Sequence, residues 1–241
     1  MTKKIIATVG PSLLNDTLLN EVHSNRNIYR INGAHGSIKD IEEFILKIKL
    51  QIKNAKILMD LPGNKVRTQN LVNGYIDIKE KEIFKLNFDQ TNYENFFQHL
   101  KLGDEVWAND SIYKFSVENV DHKKKQIKFL SYSSGRLLNN KGMHVRGIHK
   151  DIPFLFEKDK KLIEIANKYQ LEFIGLSFVR DVNDLQEAKK LIKQSQIISK
   201  VETLSAVNNL AEILNEVEYI LIDRGDLSTE IGLNKIPKYQ K

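Results

Sequence analysis

The chain contains no cysteine, which excludes disulfides, thiolate metal sites and cysteine nucleophiles together. A disulfide-free chain suits a reducing compartment, and a cytoplasmic location is expected. No apolar run approaches the ~20 residues that a membrane-spanning helix needs, and the opening MTKKIIATVG passes from lysines directly into a strand-like run, without the pattern of a cleavable signal. No membrane partner is expected. The formal charge is +6, but the lysines are dispersed and aromatics are not interleaved with them, so no nucleic-acid partner is expected either. Diffuse basicity suits attraction to a phosphorylated small molecule. The one dense run, His122-Lys123-Lys124-Lys125, lies between FSVENV and QIKFLSY and reads as a hairpin turn. Ligand spacing among histidines is missing as well: His23, His99, His122, His144 and His149 form no recognisable pattern and receive no role.

What is present is a strong alternation. With 241 residues, 41% hydrophobic and 28% charged, the chain suits one barrel-sized domain or two smaller ones. Six short apolar runs read as strands, each of a length that suits burial on both faces: KIIATV (4–9), NIYRIN (27–32), AKILMDL (55–61), EFIGLSFV (172–179), QIISKVE (196–202) and EYILIDR (218–224). Between them apolar residues return at helical spacing: Ile41, Phe44, Ile45, Ile48; Leu162, Ile163, Ala166; Val182, Leu185, Ala188, Ile192; Leu204, Val207, Leu210, Leu214. This βαβ repetition predicts a parallel sheet covered by helices. From about 62 to 148 the pattern turns strand-rich, with turn residues such as Asn73-Gly74 and Gly103-Asp104. The expected division is a first barrel part at 1–61, an inserted small all-β domain at 62–148 and a second barrel part at 149–241, an α/β fold with a TIM-type barrel of about six βα units.

Five of the six strands end in polar groups: Arg30 and Asn32, Asp60, Arg180, Lys200 and Glu202, Arg224 and Asp226. In a parallel barrel such ends converge on one face, which favours a shared site over independent solvation. Lys200 and Glu202 are two apart in a strand, so their side chains leave on one side, about 7 Å apart by strand rise. Two readings are open: half of a site, or a buried ion pair that needs good geometry to offset desolvation. Two carboxylates from adjacent strands, Glu202 and Asp226, suit a hard divalent cation, Mg²⁺ or Mn²⁺. A lysine beside it offers a compact positive charge to a transferring phosphoryl group or an enolate. Gly225-Asp226-Leu227-Ser228 leads into a short helix whose first amides suit an anionic oxygen. His35, in the glycine-flanked Asn32-Gly33-Ala34-His35-Gly36, has two readings, a ligand contact or an ordinary surface residue.

These residues occur in the order and setting of the pyruvate kinase family, which the chain resembles along nearly its whole length. The matching pieces include KIIATVGPS (4–12), YRINGAHG (29–36), LMDLPGNKVRT (58–68), NKGMHVRG (140–147), IGLSFVRDVNDL (174–185), IISKVETLSAVNNLAEIL (197–214) and DRGDLSTEIGLNKIPKYQK (223–241). The resemblance implies a glycolytic phosphotransferase, phosphoenolpyruvate and ADP going to pyruvate and ATP, in which the inserted β domain is a lid. It implies that Lys200 acts electrostatically on the transfer, that Glu202 and Asp226 bind Mg²⁺ or Mn²⁺, and that Arg30 contacts the phosphate. The amides of Gly225 and Asp226 would receive the substrate carboxylate. Pro11, Asn32, His35, Arg67 and Lys141 would surround the nucleotide, and a homo-oligomer is expected.

The chain departs from the family pattern at several points. Ala34 and Leu61 stand where many members have the serine and threonine that bind K⁺, and Lys65 stands where those members have glutamate. An ammonium there would pair with Asp60 and replace the monovalent cation, so no K⁺ requirement is expected. Asp223 stands where the family has a small residue, adding a carboxylate that would repel an anionic substrate unless it points away. Six strands precede Lys241 and the last two βα units of the barrel do not, so a fragment or a truncated homologue is expected. Two rival readings remain: a non-catalytic phosphate- or nucleotide-binding homologue, and a metal-dependent lyase or aldolase acting through a pyruvate enolate.

Overall fold

The computed structural model describes residues 3–14 and 18–241; Met1 and Thr2 of the opening MTKK lie outside them. The chain begins with β1 (Ile5–Thr8), α1 (Leu18–Glu21), β2 (Asn27–Asn32), α2 (Ile38–Gln51) and β3 (Lys56–Asp60). There follow β4 (Tyr75–Ile78), β5 (Ile83–Asn87), β6 (Glu105–Ala108), β7 (Tyr113–Asp121), β8 (Gln126–Ser131), β9 (Gly135–Leu138) and β10 (Met143–His144). The alternation then resumes with α3 (Glu157–Lys168), β11 (Phe173–Leu176), α4 (Val182–Leu191), β12 (Gln196–Val201), α5 (Leu204–Asn208), α6 (Leu210–Glu216), β13 (Tyr219–Ile222), α7 (Arg224–Ile231) and α8 (Ile236–Gln240). Two compact units result: Met1–Gly63 with Phe154–Asp223, and Asn64–Pro153 with Arg224–Lys241.

The first unit is α/β. Its six-stranded sheet runs β1-β2-β3-β11-β12-β13, parallel throughout. β3 pairs directly with β11, with Asp60 opposite Gly175, so the long segment between them leaves and re-enters one sheet. The helices form where sequence chemistry starts them. Ser37 caps α2 by accepting from the Asp40 amide while its own amide donates to Asp40. Asp181 caps α4 by accepting the Asn183 and Asp184 amides, and Thr203 caps α5 by accepting the Ala206 amide. The α2 stripe Ile41, Ile45 and Ile48 is buried in the core together with Ile57, Met59, Leu162 and Ile174, each such side chain contributing about 1.5–3 kcal/mol.

Two expectations are corrected here. The central strands β3 and β11 are buried almost throughout, but β1 is exposed, Ile5 at 61% and Ile6 at 42%, and β13 is only half-buried. Both are edge strands, with a neighbour on one side alone. The last helical stripe holds only in its middle, where Val207 and Leu210 pack against the core. Asn209 interrupts it between α5 and α6, its side chain donating to the Arg180 carbonyl, so that Ala206 and Ile213 are buried while Leu204 and Leu214 face out.

The second unit contains the five-stranded antiparallel sheet β10-β6-β7-β8-β5 and the pair β4-β9. Its core is aromatic, Phe84 packing edge-on against Phe115 at 4.7 Å and beside Phe129 at 5.3 Å. His122 to Lys125 form the turn between β7 and β8, where Asp121 opposes Gln126 and accepts from the Lys123 and Lys124 amides. Arg224–Lys241, expected with the second barrel part, belongs to this unit instead. Within it Asp226 pairs with Lys65, and Glu230 with His144.

Candidate functional site

In the first unit the strand ends gather around one ammonium. Lys200, next to last in β12, places Nζ 2.8 Å from Glu202 Oε1, 3.3 Å from Asp60 Oδ1 and 3.7 Å from Asp223 Oδ2. It also donates to Ser177 Oγ at 2.9 Å, and that hydroxyl donates onward to the Leu61 carbonyl. Both Lys200 and Glu202 are buried. Burial alone would pull the lysine pKa down; Glu202, then Asp60 and Asp223, outweigh it and hold the pKa above the ordinary lysine value. Lys200 is therefore a fixed cation at any physiological pH.

The carboxylates are themselves held. Glu202 Oε2 accepts the Phe178 amide at 2.7 Å, and Phe178 carries a left-handed φ of 57°. That conformation is rare for a bulky residue and costs about 1–3 kcal/mol, so the turn after β11 stores strain while aiming its amide at Glu202. Asp60 bridges two cations. Its Oδ2 accepts from Arg30 Nε at 2.7 Å and Nη2 at 2.6 Å, while Oδ1 faces Lys200. Arg30 also donates to Thr8 Oγ1 at 2.7 Å. A Cβ on Gly175 would stand 3.2 Å from Asp60 Oδ1, so a glycine leaves room for this carboxylate. Arg180, a second strand-end arginine, is engaged by Asp184 and fastens the start of α4.

Three of the residues placed around a nucleotide, Pro11, Asn32 and His35, line one cavity of the same unit, about 480 Å³ in volume, with Thr8, Ile41 and Phe44 also on its wall. The mixture of apolar wall and a few polar groups is usual for a small-molecule pocket. Arg67 and Lys141, expected beside them, belong to the second unit. There Arg67 Nη1 donates to the Asn140 carbonyl at 3.2 Å, and the backbone of Lys141 pairs with Thr68. Burial lowers the Arg67 pKa, partly offset by Asp226 and Asp110.

The second unit also carries Gly225 and Asp226, both in the first turn of α7, where amides point out of the helix end. Asp226 Oδ1 accepts from Lys65 Nζ at 2.7 Å, and Asp110 stands 3.5 Å from the same ammonium. Lys65 and Asp60, expected to pair, lie in different units, and each has a partner within its own, Asp60 with Arg30 and Lys200. Gly142 makes room for the lysine, since a Cβ there would meet Lys65 Cε at 2.5 Å.

Glu202 in the first unit and Asp226 in the second, the two expected metal ligands, each offer carboxylate oxygen, the ligand type that Mg²⁺ and Mn²⁺ take. Around Lys200, moreover, the cations Arg30 and Lys200 face the carboxylates Asp60, Glu202 and Asp223. The cluster holds one carboxylate more than it holds cations. Ser177 and Thr8 escaped the sequence reading although both lie in the quoted motifs, because a hydroxyl has no pattern of its own. Asp223 points toward Lys200 rather than away, and His144 and His149, given no role, both face Glu230.

A family model described as pyruvate kinase, barrel domain, matches residues 1–241. A pyruvate kinase of Staphylococcus aureus (strain USA300) is 28% identical over 256 residues, covering 99% of this chain and 44% of the relative. The pyruvate kinases of strains COL and N315 give the same figures. The chain spans less than half the length of the curated relatives it matches.

Proposed function

The chain belongs to the pyruvate kinase family, and on that premise we propose that it serves phosphoryl transfer from phosphoenolpyruvate to ADP, yielding pyruvate and ATP. The observation that carries the reading is the buried ammonium of Lys200, held cationic by Glu202, Asp60 and Asp223. In the transfer, an ADP phosphate oxygen attacks phosphorus in line, the bond to the enol oxygen breaks, and the enolate takes a proton at its methylene carbon. Little covalent work falls to the protein, so positioning and charge stabilisation dominate. Lys200 would face the charge of the moving phosphoryl group, and Arg30, locked by Asp60 and Thr8, would fix the phosphate. The first-turn amides of Gly225 and Asp226 would receive the carboxylate. Pro11, Asn32 and His35 would hold the nucleotide in their cavity, with Arg67 and Lys141 contributing from the second unit.

Glu202 and Asp226 are the proposed ligands of Mg²⁺ or Mn²⁺, which would supply charge neutralisation at the phosphoryl oxygens. Lys65, beside Asp226, serves as the fixed monovalent charge, which removes the need for K⁺. The parallel sheet reads as part of a TIM-type barrel and the antiparallel sheet as its lid, in a cytoplasmic homo-oligomer. A coupled assay for pyruvate tests the reading, comparing the chain with Lys200→Ala. Activity that disappears in the variant supports it. Mg²⁺-dependent nucleotide binding without turnover in the unaltered chain would favour a binding homologue, and pyruvate formed from another acid without ADP would favour the lyase.

A further inference from the structure

His144, His149 and Glu230 converge inside the second unit, and phosphoryl transfer has no use for them. His144 ends β10, His149 lies in the short 3-10 turn Ile148–Asp151, and Glu230 is on α7. The three side chains are nearly buried, at 12%, 6% and 6% exposure. Glu230 Oε1 is 3.2 Å from His144 Nε2 and 3.9 Å from His149 Nε2, and His149 Nε2 is 3.3 Å from His144 Nδ1. One donor atom from each residue falls within 4.8 Å of the others. Donors around a tetrahedral ion with bonds of about 2.0–2.1 Å stand roughly 3.3 Å apart, so the three donors would draw together from within 4.8 Å to close the set.

Two further details separate this cluster from an ordinary buried polar network. His149 Nδ1 stands 3.0 Å from Asn64 Oδ1, and the Asn64 amide nitrogen faces the His149 carbonyl at 3.5 Å. With the oxygen toward the ring, Nδ1 carries the proton and Nε2 presents its lone pair toward the cluster, the usual outer-shell support of a metal-bound imidazole. His144 Nε2, although buried and close to Glu230, is poorly aligned for a hydrogen bond with any of the described residues.

We propose that His144, His149 and Glu230 form a binding site for a borderline divalent transition ion of the Zn²⁺ type, separate from the carboxylate site proposed for Mg²⁺. Two imidazoles and one carboxylate favour Zn²⁺ or Co²⁺ over Mg²⁺, which prefers oxygen alone. Glu230 lies one helical turn beyond Asp226 on α7, so the ion would tie that helix to β10 and the turn after it.

The test is titration of the metal-free chain with Co²⁺ and with Zn²⁺ in excess Mg²⁺, which saturates carboxylate-only sites and leaves imidazole sites open. Expected are one equivalent of tightly bound ion, visible Co²⁺ bands of a low-symmetry nitrogen-containing site, and displacement of Co²⁺ by Zn²⁺. His149→Gln and Glu230→Gln should each weaken binding by more than about tenfold. Should either variant fold poorly, the histidine proton resonances of the unaltered chain serve, with two imidazoles shifting on Zn²⁺ addition. Absence of binding under excess Mg²⁺, or binding that moves no histidine resonance, overturns the site. Neither result depends on pyruvate formation, so the proposed activity can fail while this site stands.

Discussion

Lys200 Nζ and Glu202 Oε1 form a 2.8 Å ion pair with both side chains buried, the ammonium 8% exposed and the carboxylate not at all. The pair is thus a structural element as well as a candidate reaction group. Removing one member leaves the other as an uncompensated buried charge, the costly way to break such a pair. Lys200→Ala should destabilise the chain by about 3–5 kcal/mol, read from urea unfolding. A smaller loss is expected for Lys200→Met combined with Glu202→Gln, and equal losses would show that the pair is solvated.

Asp223 adds a carboxylate 3.7 Å from Lys200, with its own side chain 35% exposed. Partly exposed charge interactions are worth about 0–1 kcal/mol, so Asp223→Asn should lower the phosphoenolpyruvate KM by no more than about fivefold. A raised KM would mean that Asp223 helps bind the substrate or its cation.

Lys65 places a permanent positive charge 2.7 Å from Asp226. Replacing a bulky organic cation by K⁺ at constant ionic strength should leave the rate of pyruvate formation unchanged. A steep rise with K⁺ refutes the substitution of the ammonium for the monovalent ion.

Asp159 accepts the Gly63 amide at 2.9 Å and the Phe156 amide at 2.8 Å, yet burial pushes its pKa from 3.8 up to about 6. A carboxyl whose folded pKa is raised binds protons more strongly folded than unfolded, so its contribution to stability falls as pH rises between those values. At 1.36 kcal/mol per unit, the change across the interval is about 3 kcal/mol. The stability advantage of the unaltered chain over Asp159→Asn should therefore shrink between about pH 4 and pH 7, measured by urea midpoints. An advantage that grows over that range would mean the two amide bonds outweigh burial.

Much of this was legible in the order of residues. The central parallel strands announce themselves because a strand buried between neighbours must be mostly apolar, as ILM within β3 and FIGL in β11 are. Lys200 and Glu202 share a side because alternate residues of an extended chain do. The helix caps at Ser37, Asp181 and Thr203 are local chemistry, readable from a few neighbouring residues. Less was legible where distant segments meet. The exposure of β1 depends on its edge position in the sheet, which no property of IIAT records. The face that α5 and α6 bury depends on a break at Asn209, stabilised by a carbonyl 29 positions away.

The amino-acid sequence by itself determined the alternating α/β pattern, the strand-rich insertion and the charged residues at the strand ends, because these rest on local periodicity and residue type. Tertiary structure alone decided which charges meet. It turned Asp223 toward Lys200, gave Asp60 to Arg30 and Lys200 and Asp226 to Lys65, and brought Glu230 to two histidines that stand 86 and 81 positions earlier in the chain. The physical reason is that a charge is specified by its residue, whereas its partner is specified by desolvation and distance, which exist only once the strands and helices have packed.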